Sequence, residues 1–228
     1  MKKPLVIIPA FNEATKLGEV IKSIQDIFQK ENIDICVIDD GSVDNTYKIA
    51  KKIHVKVLKH LLNRGLGAAL ATGFEYAKKH KYEIVVTFDA DGQHKASDIK
   101  RIIVPIIEGK GDVVIGSRVL EYRQMPILRR LINLLSNLAT YILFGIWTTD
   151  SQSGLRAFSS KALKLIKLKS ERMEVSSEIF KEIGRNKLRL KEIPIKPIYT
   201  QYSLNKGQRI SNATNVIWKL FINKFSNI

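Results

Sequence analysis

Runs of apolar and β-branched residues alternate with helix-patterned stretches through the first 120 residues. "PLVIIPA" precedes a helix beginning near Thr15, "IDICVIDD" one near Asp44, "VKVLK" one near Gly65 and "EIVVTFDAD" one near Ser97, and "GDVVIGSR" ends the series. This alternation predicts an α/β fold with a mostly parallel central sheet and helices on both faces. Ligands of such a sheet bind beyond the carboxyl ends of its strands. The polar clusters stand there: Asn12-Glu13 after the first run, Asp39-Asp40 after the second, Asp89 and Asp91 after the fourth, and Arg118 after the fifth.

Beyond Arg118 the pattern changes. "PILRRLINLLSNLATYILFGIW" is apolar over a long stretch, but Arg129, Arg130, Asn133, Ser136 and Asn137 make it a poor membrane span. Arg129, Asn133 and Asn137 are four apart and share one helical face, opposite a broad apolar one. That polar face is expected to meet an acceptor headgroup, and the apolar face can lie on a membrane. The polar turn "TDSQSGLRAFSS", a helix over about 175–185, the run "LRLKEIPIKPIYT" and a last helix from about Ser211 follow. No internal repeat or low-complexity linker divides the chain, so one continuous domain of residues 1–228 is expected.

Composition fits a soluble protein with a full core: 228 residues, 45% apolar and 26% charged. The start, "MKKPLVIIPAFNE", has the basic and apolar order of a signal peptide, but proline and Asn12-Glu13 interrupt it and no small-residue cleavage site follows, so it is read as a first strand. The single Cys36 lies within an apolar run, where a thiol behaves as a small buried hydrophobe. Charge is uneven. Residues 1–120 carry 19 basic and 15 acidic side chains, net +4, whereas residues 121–228 carry 19 and 7, net +12. The second half therefore meets something anionic: nucleic acid, an anionic membrane or a phosphorylated substrate. Nucleic acid is disfavoured, because the aromatic interleaving of a single-strand platform is missing and the rim acids would have no purpose.

Those acids carry the chemistry. Two aspartates one residue apart, released by a glycine at a strand end, repel each other unless a cation sits between them. "DADGQH" is such an end, and "DDGSVDNT" places a second acidic end on the same rim, with Asp44 able to cap the next helix and Asp40 facing the ligand side. "NRGLGAALATG" has two glycines of a dinucleotide fingerprint, but Leu70 occupies the third position and no ribose-binding acid follows at the right distance. Its glycines are read as admitting close packing or a nearby ligand. No Walker sequence is present.

Taken in order, "VIIPAFNE", "DDGSVDNT", "NRGLGAALATG", "DADGQH", "GSR", "DSQSGLRAF", "MEVSSEI" and "EIPIKPIYTQYSLNKGQ" resemble family 2 of the inverting glycosyltransferases, in particular the dolichol-phosphate or polyprenol-phosphate mannosyltransferase group. The resemblance implies the nucleotide-diphosphosugar transferase (GT-A type) fold. It implies that Pro9, Phe11, Glu13, Ile38, Asp40, Asp89 and Ala90 hold the nucleotide, and that Asp89, Asp91 and Gln93 hold a metal. An all-oxygen set suits Mg²⁺ or Mn²⁺. His94 is read as a support or surface residue. Asp91 and Arg118 are the expected catalytic residues; Arg118, Arg129, Asn133, Ser153, Arg156, Lys206 and Arg209 are the expected acceptor site, with Gly154 in the same polar turn as Ser153 and Arg156. Asn133 stands where relatives often have serine. The implied reaction moves a hexose, with mannose from GDP-mannose as first donor and UDP-glucose as alternative, onto a polyprenyl or dolichyl phosphate. The rival acceptor is a polysaccharide or protein hydroxyl, which needs a base such as Asp91 or Asp150. Residues 1–120 would form the sugar-nucleotide half and 121–228 the acceptor half, whose basic amphipathic helices dock at the cytoplasmic face of the membrane, peripherally or through a membrane-protein partner.

Overall fold

The computed structural model describes residues 3–29, 33–120 and 127–198. The five apolar runs form β1 (Leu5–Ala10), β2 (Asp34–Asp39), β3 (Lys56–Lys59), β4 (Ile84–Thr87) and β5 (Val113–Ser117). Helices α1 (Leu17–Ile27), α2 (Thr46–Lys52), α3 (Leu66–Lys79) and α4 (Asp98–Ile107) start within two residues of the expected positions. Asp44 accepts the Thr46 N–H at 2.9 Å, which ties down the start of α2 as its position suggests.

The second half adds α5 (Ile127–Phe144), β6 (Arg156–Ser159), α6 (Ser160–Leu165), α7 (Val175–Arg185) and β7 (Leu190–Pro194). The strands form one sheet in the order β3-β2-β1-β4-β6-β5-β7. It is parallel except for β6, which runs antiparallel between β4 and β5. That strand corrects the reading of "TDSQSGLRAFSS" as a turn alone. Its four residues, Arg156 to Ser159, lack the apolar β-branched run that marks β1 to β5, so no local pattern announces it.

Alternate strand residues feed two cores. Val6, Ile8, Val37 and Val86 pack with α1 and α4 on one face. Leu5, Ile7, Ile38 and Val85 pack with α3, α6 and α7 on the other. Cys36 is buried in the second core, where burial pushes its thiol up to about 12 and leaves it inert. Among the described residues no helix is long and apolar enough to cross a membrane.

Helix α5 is mounted with its polar side inward. Asn133, Ser136, Asn137 and Thr140 are buried, while Leu131, Leu134, Leu135, Leu138, Tyr141 and Ile142 are exposed. The expectation that Asn133 and Asn137 face an acceptor is therefore corrected: they face the 148–151 turn of this chain.

Candidate active site

Strand β4 passes its carboxyl end into the turn that carries Asp89, Asp91 and Gln93. The Gln93 N–H donates to Asp91 Oδ1 at 2.9 Å and closes that turn. His94 folds back beneath it, its side chain 1% exposed, with Nε2 3.1 Å from Asp89 Oδ2. The imidazole thus supports the carboxylate, as its position suggests. On another side Asp89 lies against Gly154, where an added Cβ would fall 2.1 Å from Oδ2. Only a residue without a side chain fits there.

Electrostatics separate the two aspartates. Burial raises Asp89, but the hydrogen bond and charge of His94, then the charges of Arg118 and Arg156, outweigh it and hold Asp89 below the ordinary carboxylate range. Asp91 is pushed up to about 6 by burial and then by the charge of Asp89, with Glu13 adding to the effect. This is the frustration that a cation relieves. Among the described residues no group of three His, Cys, Asp or Glu side chains stands ready for a metal. Two carboxylates and the Gln93 amide instead leave coordination positions for diphosphate oxygens, which fits a hard divalent ion brought with its nucleotide. A groove of about 590 Å³ runs beside Asp91 between α1 and residues 91–97, bordered by Ile198. A smaller cavity, about 380 Å³, opens at the opposite end of the sheet, away from the acids.

At the β1 end of the rim, Pro9 is half-buried and Phe11 is 41% exposed. Glu13 begins the loop into α1, its N–H donating to Thr46 Oγ1 at 2.8 Å. Ile38 and Ala90 are buried in the two cores, so their side chains do not reach the rim. Asp40, expected to face the ligand side, is buried and takes its partners from this chain. It accepts the Arg64 N–H (3.0 Å) and the Gly65 N–H (2.7 Å), and its Oδ1 is 2.6 Å from His60 Nδ1. The imidazole continues to Thr72 Oγ1 at 2.9 Å. Asp40 thus builds the loop that opens α3. The glycines of that loop serve packing: an added Cβ on Gly67 would come 1.9 Å from the Ser170 carbonyl oxygen, so only glycine lets the 170–172 backbone cross the helix start.

Arg118 follows β5 directly, yet it does not project freely. Asp150 receives its backbone N–H (3.0 Å), Nε (2.7 Å) and Nη2 (2.8 Å). Burial raises Asp150, but the charge and hydrogen bonds of Arg118 outweigh it and keep the carboxylate ionised. Arg156, expected at the acceptor, sits on β6 at 3% exposure, with Nη2 donating to the Ser151 carbonyl (2.9 Å) and the guanidinium over the Phe180 ring. Burial lowers its pKa to about 10 against the opposing pull of Asp89 and Asp150, so it remains a buried cation beneath both acids. Ser153 is buried in the same turn. Arg118, Asp150, Ser153 and Arg156 therefore form one assembly behind Asp89. The Arg129 side chain, Lys206, Arg209 and the expected last helix lie outside the described residues.

Sequence reasoning missed two supports, His60 and Glu192, and placed Gly154 in a polar turn near the acceptor without its contact to Asp89. Glu192 Oε1 accepts from Thr148 Oγ1 (2.7 Å), Thr149 N–H (2.8 Å) and Thr149 Oγ1 (3.1 Å), holding the 148–151 turn to β7. None belongs to a local motif that names its partner.

The seven-stranded, mostly parallel sheet with its one antiparallel strand is the GT-A type fold found in solved glycosyltransferases. The family model described as glycosyl transferase family 2 matches residues 5–167, and the chain belongs to that family; it is a glycosyltransferase. An uncharacterized protein of Methanocaldococcus jannaschii is 45% identical over 96% of this chain and 91% of its own length. The UDP-N-acetylglucosamine–dolichyl-phosphate N-acetylglucosaminyltransferase of Methanococcus voltae is 39% identical over 98% of this chain and 96% of its own. The polyprenol monophosphomannose synthase of Mycolicibacterium smegmatis is 30% identical over 73% and 65%. Glucosyl-3-phosphoglycerate synthase from Mycobacterium tuberculosis, solved with Mn²⁺, UDP and phosphoglyceric acid, shares the fold at a TM-score of 0.75 and 18% identity, covering 97% of this chain and 78% of that one.

Proposed function

We propose that this enzyme transfers a sugar from a nucleoside diphosphate to the phosphate of a polyprenol or dolichol at a membrane surface. A phosphate oxygen of the lipid bonds to the anomeric carbon as the bond from that carbon to the nucleoside diphosphate breaks, in one in-line, inverting displacement. The observation that carries this reading is the engagement of the rim carboxylates. Asp150 is ionised but locked to Arg118 by three hydrogen bonds, and Asp89 and Asp91 form the candidate cation site. A sugar or protein hydroxyl would need a carboxylate free to take its proton. A lipid monophosphate is already anionic near neutral pH and needs none.

Catalysis then rests on position and charge. Asp89, Asp91 and Gln93 would hold Mg²⁺ or Mn²⁺, which would neutralise the diphosphate as it leaves. Pro9, Phe11 and Glu13 border the nucleoside, and Arg118, held flat by Asp150, meets the reacting phosphates. Residues 1–120 serve the donor and 121–228 the acceptor, with Lys206 and Arg209 as further phosphate ligands. For the donor, the full-length relative named for UDP-N-acetylglucosamine supports that sugar nucleotide first. GDP-mannose comes second, favoured by the more distant mannose synthase. The exposed apolar side of α5 and the +12 balance of residues 121–228 support peripheral docking on the anionic cytoplasmic face of a membrane.

The test is a panel of UDP- and GDP-sugars with a prenyl phosphate and Mg²⁺ or Mn²⁺, read as sugar-lipid product. One donor should give product that disappears with EDTA and in Asp91→Asn, while that variant melts within a few degrees of wild type. Transfer that ignores both EDTA and Asp91→Asn would overturn the metal assignment. Product formed only with a hydroxyl acceptor would overturn the acceptor.

A further inference from the structure

Helix α5 does more than present an apolar face. Its buried side grips the turn that holds Arg118. The Asn137 amide uses both ends: Nδ2 donates to the Thr149 carbonyl at 2.7 Å, and Oδ1 accepts the Ser151 N–H at 2.9 Å. Asn133 Nδ2 adds a longer bond to the same carbonyl, 3.3 Å. The residue bracketed by those two bonds is Asp150, whose carboxylate fixes the backbone, Nε and Nη2 of Arg118. From helix to guanidinium the chain of contacts is continuous.

The turn also has a second anchor on the sheet side. Glu192 holds Thr148 and Thr149, and Ser117 Oγ, at the end of β5, is 2.6 Å from Thr149 Oγ1. Removing the α5 anchor should thus leave the turn attached and the fold intact, while loosening the Ser151 end, next to Asp150, which then rests on the Arg156 bond to the Ser151 carbonyl. A side chain whose two polar ends both serve one turn is a larger commitment than packing a helix requires. Thr140, on the same buried side, is satisfied within the helix, its hydroxyl donating to the Ser136 backbone carbonyl at 2.8 Å.

We propose that Asn137 is a positioning residue that seats Asp150, and through it the Arg118 guanidinium, on helix α5, so that the placement of this helix sets the geometry at the reacting phosphate. Resting on the function proposed above, this makes one helix both the apolar contact with the bilayer and the support of the phosphate-facing cation. A small misplacement of such a group lowers turnover far more than it lowers stability.

The experiment uses the full chain and a short, water-soluble prenyl phosphate, so that transfer does not depend on vesicles. Asn137→Ala and the isosteric Asn137→Asp, which keeps an acceptor for Ser151 but turns a second acceptor on the Thr149 carbonyl, are compared with wild type. Expected is a loss of at least about tenfold in kcat/KM for the acceptor, out of proportion to a fall of a few degrees in melting temperature, with the donor KM and cosedimentation with anionic vesicles close to wild type. The double variant Leu134→Ser/Leu138→Ser, altered on the exposed side alone, should behave inversely, keeping transfer to the soluble acceptor and losing vesicle binding. Asn137 variants that transfer like wild type, or that lose donor binding in the same proportion, would overturn the proposal. A wild-type enzyme inactive on every prenyl phosphate and donor would overturn the functional reading and this inference with it.

Discussion

Gly154 shows how narrowly the acid rim is built. The Asp89 carboxylate occupies the volume where a side chain at 154 would begin, with both oxygens within 2.2 Å of an added Cβ. Gly154→Ala must push Asp89 aside, and the surrounding groups that hold it, His94 and the buried Arg156, would no longer oppose it correctly. The expected result is a fall in Mn²⁺-dependent nucleotide affinity of at least about tenfold, about 1.4 kcal/mol, with metal-free affinity little changed. Calorimetric titration with and without Mn²⁺ decides this, and equal losses in both would show that the glycine serves the fold alone. The pair Asp89 and Asp91 was legible because two acids at a strand end are a local pattern. The contact of Gly154 with Asp89 was not, because it is made by the approach to a strand, β6, that the local pattern did not announce.

Among the elements, helices α1 to α5 and α7 and the parallel strands β1 to β5 were readable since each repeats its own period, whereas the six-residue α6 is too short to show one. The antiparallel β6 and the orientation of α5 were not. Amphipathic spacing states that α5 has two faces but not which one meets the protein. Here the polar face wins because the 148–151 turn offers unpaired carbonyl and N–H groups that only polar side chains satisfy. A similar remote tie joins β5, β7 and α6. Asp112, at the start of β5, receives Arg189 through its backbone N–H, Nε and Nη2, and lies 3.3 Å from Lys161. The Arg189 hydrogen bond lowers the Asp112 pKa to about 2. An unfolded aspartate titrates near pH 3.9. The folded value is depressed, so this pair stabilises the protein above about pH 4, and the contribution fades as pH falls through about 2. Asp112→Asn should therefore melt a few degrees below wild type at pH 7, with the gap closing toward pH 2. A gap constant across that range in calorimetry would show that the charge contributes nothing.

For the molecule as a whole, charge and exposed apolar area fall in the same half of the sequence. Of the net +16, +12 belongs to residues 121–228, which include α5 with its exposed leucines, Tyr141 and Ile142. Apolar area inserts into a bilayer, and basic residues near an anionic surface add roughly 1 kcal/mol each. The protein should cosediment with anionic vesicles, bind less as salt rises, and bind weakly to neutral ones. Truncation after Gln208 removes the segment "NVIWKLFINKF" and should weaken vesicle binding while leaving nucleotide binding largely intact. Equal pelleting on anionic and neutral vesicles, or equal pelleting of both chains, would count against electrostatic docking.

Read alone, the sequence determined the two-faced parallel sheet, the acidic rim and the family, since each depends on residues close together in the chain: apolar runs, strand-end carboxylates and turn glycines. Tertiary structure decided what those residues touch. It turned Asp40 toward His60 and the loop before α3, paired Arg118 with Asp150, buried Arg156 beneath both acids and set the polar side of α5 inward. The physical reason is common to all four. A buried charge or amide must find a partner wherever the fold supplies one, and that partner is fixed by the packing of distant segments rather than by spacing along the chain.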